Sequence, residues 1–314
     1  MVINVGTRTD IVNCYTEWLF RRFREGLAYS RNPLFPDKVI SYRLSPNEVD
    51  AVAFTSKNYA PALSRLHEIY SCYRTYFHYT ITAYGKDLEP NIPDIPTSVD
   101  TLKALVRLVG KEKVAWRYTP ILLSKTYTEE RHFETFEYLC DRLARYIDRC
   151  IIGFIEMQPH LRTSMPKTVV LTAEIKRRIA EKLGKIACKY GIPVQICGNN
   201  ADYSDYGVKT EGCLTLDILG KANGCFFKNM PHKVNRRGCS CIESRDLGWY
   251  DACPNLCKYC FSDKKRDDVA KNRALHDPAS PLLIGTLKDT DELIQGVQHS
   301  FLRSGGNQMS LFDL

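Results

Sequence analysis

Apolar, β-branched runs recur along the 314-residue chain, separated by longer stretches in which apolar residues fall three and four positions apart. Six runs read as strands: VINVGTRTD (2–10), VDAVAFTSKN (49–58), TYFHYTITAYG (75–85), KVAWRYTP (113–120), CIIGFIEM (150–157) and IPVQICGNN (192–200). Between them CYTEWLFRRFREG, YAPALSRLHEIYSCY, SVDTLKALVRLVGKE, TEERHFETFEYLCDRLARYI and TAEIKRRIAEKLGKIACKYG carry the helical period, and two of these stop at or near Gly26 and Gly191. The alternation predicts parallel strands joined by crossover helices. Six units without an evident sheet reversal predict an α/β fold, a complete or partial (β/α) TIM-like barrel. LAYSRNPLFPDKVISYRLSP (27–46) breaks the rhythm and predicts an inserted β-hairpin. After Cys260 the chain turns polar and loop-like. The expected organisation is a barrel-like domain over 1–225, a cysteine-rich segment over 226–285 packed on it, and a tail over 286–314.

Each strand candidate closes on polar residues: Thr7, Arg8, Thr9 and Asp10; Thr55, Ser56, Lys57 and Asn58; Thr82 and Tyr84; Arg117 and Tyr118; Glu156; Asn199 and Asn200. In barrel enzymes the loops at the C-terminal strand ends converge over the rigid core and carry the active site. Asp10, Asn199 and Asn200 read equally well as caps of the next helix. Arg8, Arg117 and Glu156 carry charge between apolar neighbours and call for a partner or a ligand.

The composition is that of a folded globular protein. No apolar run is long enough to span a bilayer, and MVINVGTRTD lacks the basic-then-apolar order of a secretory signal, so a cytoplasmic protein is expected. The net charge of +8 is uneven, with cations gathered at 176–189, 228–237 and 264–273. That pattern favours a polyanionic partner, DNA, over three unrelated solvated faces.

Thirteen cysteines in such a chain point to thiols and metal ligation rather than disulfides. Cys14, Cys72, Cys140, Cys150 and Cys188 lie in apolar surroundings and read as buried structural thiols. Cys239, Cys241, Cys253, Cys257 and Cys260 crowd into 22 residues, a density that core packing does not require. In YDACPNLCKYC the spacing is CxxxCxxC. Three such thiolates can each hold a different iron of a 4Fe-4S cubane and leave the fourth iron without a protein ligand. Alternatively Cys239 or Cys241 supplies a fourth ligand and seals the cluster, or both join two of the three in a zinc site. Whether Cys213, Cys239 and Cys241 form a second site is open at this level.

The CxxxCxxC spacing, with the aromatic Tyr259 before the last cysteine, resembles the motif of radical S-adenosylmethionine enzymes. ACPNLCKYCF also looks like the cluster loop of spore photoproduct lyase and related DNA repair lyases. Over nearly the whole chain GTRTDI, SRNPLFPDKV, AFTSKN, TITAYGKDLEPNIP, WRYTPILL, GCSCIESRDLGWYDACPNLCKYCF and HDPASPLLIG resemble a bacterial family, domain of unknown function 1848. The resemblance implies a C-terminal cluster similar to that of the radical enzymes. In those enzymes, however, the loop follows the first strand. A circularly permuted barrel, with ESRDLGWYDAC as the strand feeding the loop, would reconcile the two.

After RSGGN, the residues Gln308, Met309, Ser310, Leu311 and Phe312 look like the pentapeptide that docks bacterial repair proteins on the DNA sliding clamp, with Gln308, Leu311 and Phe312 as the contacts. The combined expectation is a radical S-adenosylmethionine-type DNA repair enzyme. In it Cys253, Cys257 and Cys260 hold the cluster, Tyr84, Arg117, Tyr118 and Glu156 line the cavity, and Arg8 and Lys57 bind phosphate or the carboxylate of S-adenosylmethionine. A metal-dependent nuclease using Asp10 and Glu156, or a non-enzymatic DNA-binding redox sensor with a sealed cluster, are the alternatives.

Overall fold

The computed structural model describes residues 1–165, 167–198, 201–228, 238–262 and 266–303. Strand β1 (Val2–Val5) leads through helices α1 (Ile11–Cys14) and α2 (Thr16–Glu25) into the hairpin β2 (Leu27–Arg31) and β3 (Lys38–Arg43). Then come β4 (Ala51–Ser56), α3 (His67–Tyr70), β5 (Thr75–Thr80), α4 (Ile95–Val109), β6 (Val114–Ile121), α5 (Glu129–Leu143) and β7 (Arg149–Phe154). They are followed by α6 (Pro159–Ser164), α7 (Ala173–Lys189), β8 (Val194–Ile196), β9 (Val208–Thr210), α8 (Leu216–Asn223), β10 (Arg245–Asp246), α9 (Arg266–Ala274) and β11 (Glu292–Gln295).

Eight strands form one parallel sheet in the order β10-β1-β4-β5-β6-β7-β8-β9. Chain order is kept throughout and the last strand returns beside the first, as around a barrel. No ladder joins β9 to β10 among the described residues, so hydrogen bonds do not close the cylinder. All six expected strands and the hairpin are present. β9 and β10, of three and two residues, are too short to carry a pattern. β10 precedes the CxxxCxxC loop and pairs in parallel with β1, Ile3 opposite Arg245. A strand does feed the loop, as the permuted arrangement requires.

Parallel strands covered on both faces need little alternation, and β5 is buried at every position. One face packs Ile3, Val5, Val52, Phe54, Phe77, Trp116 and Ile152 against the helices. The other carries small residues, Ala51, Ala53 and Ala115, beside Val2, Tyr76 and Ile151, and meets Ile218, Leu219 and Ala222 of α8. Gly153 belongs to this crowded face: a β-carbon there would stand 2.7 Å from Thr119 Oγ1.

Three expectations give way. YAPALSRLHEIYSCY is not one helix. Ala62, Arg65, Glu68 and Ile69 each bond three residues back, so Pro61 opens a run of tight turns that still points Ala62, Leu66 and Ile69 inward. The polar stretch after Cys260 contains α9, and β11 adds a parallel strand to the hairpin at β3, so 286–303 is woven into the body. Cys72 and Cys188 are exposed, Cys14 is half-buried, and only Cys140 and Cys150 of the five are buried. Among the described residues no helix is long and apolar enough to cross a membrane.

Candidate metal centres at the strand ends

The CxxxCxxC loop is fastened across the C-terminal ends of the strands by polar side chains that follow them. Asp10, after β1, caps α1 by accepting from Asn13 N–H at 3.1 Å. It also accepts from Ser56 Oγ at 2.7 Å, Lys57 N–H at 2.9 Å and Asn255 Nδ2 at 3.0 Å. Burial pushes its carboxyl above the usual carboxylate range against those four donors. Asn255, in the loop, accepts in turn from Asn13 Nδ2 at 2.7 Å. Ser262 Oγ donates to the Arg8 carbonyl at 2.6 Å, and Tyr15 donates to the Ala252 carbonyl at 2.6 Å. Leu256, the residue before Cys257, sits at φ 53°, a left-handed conformation a side chain adopts only when its surroundings impose it.

Beneath the loop lies a buried ion pair. Lys57 Nζ is 2.8 Å from Glu89 Oε1, which also accepts from Thr82 Oγ1 at 2.6 Å and from the Tyr259 hydroxyl. Burial opposes the Lys57 charge, but Glu89 and the neighbouring Cys257 outweigh it, and the ammonium is held above its ordinary range. Burial raises the Cys257 thiol well above its usual value, with Lys57 pulling the other way and Glu89, Cys253 and Cys260 adding to the rise. Cys257 thus feels both other cysteines of the motif, and Ser262 N–H donates to Cys260 Sγ at 3.4 Å. The three thiols of the motif, the Lys57 ammonium and the Ser262 amide thus gather at this end of the sheet.

Among the described residues the cysteine group that converges most tightly is a different one. The sulfurs of Cys197, Cys213 and Cys241 all lie within 4.8 Å of one another and are placed to hold a metal ion. Cys213 Sγ is 3.4 Å and Cys197 Sγ 3.8 Å from Cys241 Sγ. Cys239 lies outside that close triad but packs against the same buried cluster as Cys197 and Cys241. Donation from Cys213, Cys239 and Cys241 holds Cys197 far below the ordinary thiol range. Cys213, a donor to it, is pushed up to about 12, and Cys241 higher. The structure therefore sends Cys241 and Cys239 to Cys197 and Cys213, where the sequence offered them to Cys253, Cys257 and Cys260. Nothing in the sequence marks Cys197, a lone cysteine after a buried strand that reads like Cys150.

The other expected site residues separate. Arg117 and Tyr118 are neighbours on β6 and point to opposite faces, so both cannot line one cavity. Arg117 belongs to the inner face, where its charge acts on His78 and Cys213. Tyr118 packs outward under α5, bonded to His132 Nδ1 at 2.7 Å. Tyr84 is held between two backbone groups, donating to the Pro120 carbonyl at 2.6 Å and accepting from Leu122 N–H at 2.9 Å, and its ring stands 5.3 Å from Tyr259. Glu156 lies exposed beyond the end of β7, although its neighbours Ile155 and Met157 pack inward. Arg8 faces Asp246 at 3.4 Å and Lys57 faces Glu89, so each carries an internal carboxylate partner. Along α7, Arg178, Lys185 and Lys189 pair with Glu129, Glu181 and Glu137, which reduces the basic face there. Asn199, Asn200, most of the 228–237 run, and Gln308, Leu311 and Phe312 lie outside the described residues.

These features define a parallel α/β protein with a cysteine triad beside its strand ends that is placed to hold a metal ion. The chain belongs to the family described as domain of unknown function DUF1848, whose model matches residues 2–262 and so takes in both cysteine groups. It matches none of the curated proteins.

Proposed function

We propose that the chain is an iron-sulfur enzyme of the radical S-adenosylmethionine type, with Cys253, Cys257 and Cys260 as the ligands of a 4Fe-4S cluster. The observation that carries this reading is the docking of the CxxxCxxC loop on the C-terminal strand ends through Asp10, Asn255, Glu89 and Tyr259. In parallel α/β proteins that end of the sheet is where substrates bind. The assignment of Cys239 and Cys241 to the other group leaves the loop with three of its own thiolates, which favours an open iron over a sealed cluster. When bound, such a cluster supplies one electron to the sulfonium of S-adenosylmethionine. The chain's own part is to exclude water with the aromatic wall of Tyr84, Tyr127 and Tyr259 and to fix charge beside the loop with Lys57 and Glu89.

DNA is the proposed substrate class, on the strength of the basic runs and the clamp-like terminal pentapeptide. The nuclease alternative loses ground, because Asp10 is saturated by four donors and Glu156 stands apart from it in the open. The decisive measurement is electron paramagnetic resonance of the anaerobically reduced protein with and without S-adenosylmethionine. A 4Fe-4S signal that changes shape on addition supports the reading, and an unchanged signal sinks it. Duplex DNA binding followed by fluorescence anisotropy tests the substrate class separately.

A further inference from the structure

The parallel sheet ends at β9 on one side and β10 on the other, and among the described residues no ladder crosses between these edges. Ile242 N–H donates to the Leu214 carbonyl at 3.0 Å. Gly212 lies so close to the opposite segment that a β-carbon on it would fall 2.5 Å from the Ser240 carbonyl oxygen. The converging triad of Cys197, Cys213 and Cys241 sits at this crossing, with Cys239 packed against the same cluster. Cys197 and Cys213 follow β8 and β9, whereas Cys239 and Cys241 lie on the segment that leads into β10. Each side of the seam contributes two thiols.

We infer that Cys197, Cys213, Cys239 and Cys241 bind a single zinc ion that fastens the β8–β9 side of the sheet to the β10 side. Four sulfurs at about 2.3 Å from one ion stand about 3.8 Å apart at the corners of a tetrahedron. The separations of 3.8 Å and 3.4 Å at Cys241 match that size. A cubane puts each thiolate on a different iron and spreads the sulfurs farther, so this group suits one ion. Soft thiolates select zinc over magnesium or calcium, and a complete set of four leaves no open position for a water. The site is therefore structural, with the ion in place of the missing ladder. The inference stands independently of the cluster reading, because the two centres share no ligand.

Metal analysis of the full chain separates them. One zinc per chain is expected, retained in the Cys253→Ala/Cys257→Ala/Cys260→Ala variant that loses iron, and lost in Cys197→Ser/Cys213→Ser. Zinc absent from the wild type, zinc lost with the loop cysteines, or iron in zinc's place would each overturn it. Should Cys197→Ser/Cys213→Ser fail to fold, zinc-edge X-ray absorption of the unmodified protein decides. Four sulfur neighbours at about 2.3 Å support the site, and nitrogen or oxygen neighbours refute it.

Discussion

His132 stands between Tyr118 and the Leu122 carbonyl, 2.9 Å from its Nε2. A carbonyl only accepts, so Nε2 carries the proton and Nδ1 accepts from the tyrosine, which fixes the neutral ring. Burial depresses its pKa below 6.5. The unfolded chain then binds a proton that the folded chain refuses. Stability is therefore full above pH 6.5 and falls as pH drops below it, by up to about 1.4 kcal/mol per pH unit for this group. His132→Asn is expected to flatten that acid limb in urea titrations between pH 6.5 and 5; an unchanged slope would assign the limb elsewhere. Lys57 and Glu89 make a second residue-scale case. Breaking a buried pair from one side costs about 3 kcal/mol or more, while replacing both partners with neutral groups costs less. Glu89→Gln should thus lower the urea midpoint more than Lys57→Met/Glu89→Gln does. A double-variant loss equal to the sum of the Glu89→Gln and Lys57→Met losses would mean that the two charges are not coupled.

At the scale of elements, the CxxxCxxC loop owes its place to one carboxylate and one amide that lie 245 positions apart in the chain, Asp10 and Asn255. Asn255→Ala removes a donor to Asp10 and an acceptor for Asn13, at a cost of about 1–3 kcal/mol. Because the loss falls on the loop, iron content after anaerobic reconstitution should drop while the sheet's circular dichroism stays the same. Full iron loading in this variant would show that the loop holds its shape without the strand ends. This docking explains what could and could not be read from the sequence. The CxxxCxxC spacing is local, and Asp10 announces itself as a helix cap. Asn255 and Glu89 carry no local pattern, since their role exists only once the loop lies on the strands. The same holds for Tyr118, whose polarity suggested a site until the parity of β6 turned it toward α5. Periodicity exposed the longer strands well, because burial on both faces gives runs too apolar for loops. It failed at β9 and β10, where two or three residues are too few to show any period.

For the whole molecule, the distribution of cysteines between two places decides how the sheet is held. β4, β5 and β6 are paired with strands on both sides, whereas among the described residues β9 and β10 each pair with one strand. Their free edges meet where Cys197 and Cys213 face Cys239 and Cys241. Pairing supplies the stability of the middle strands. At the seam a bound ion would supply it, since the free energy of metal binding to thiolates appears as folding free energy. Chelation of the Cys253→Ala/Cys257→Ala/Cys260→Ala variant, which takes iron out of the comparison, should therefore act locally. Amides of β8, β9 and residues 239–242 are expected to exchange faster by hydrogen exchange mass spectrometry, while β4 to β6 keep their protection. An equal rise across the sheet would make the ion a condition of folding as a whole. No rise anywhere would mean that Ile242, Leu214 and the close packing at Gly212 hold the seam unaided.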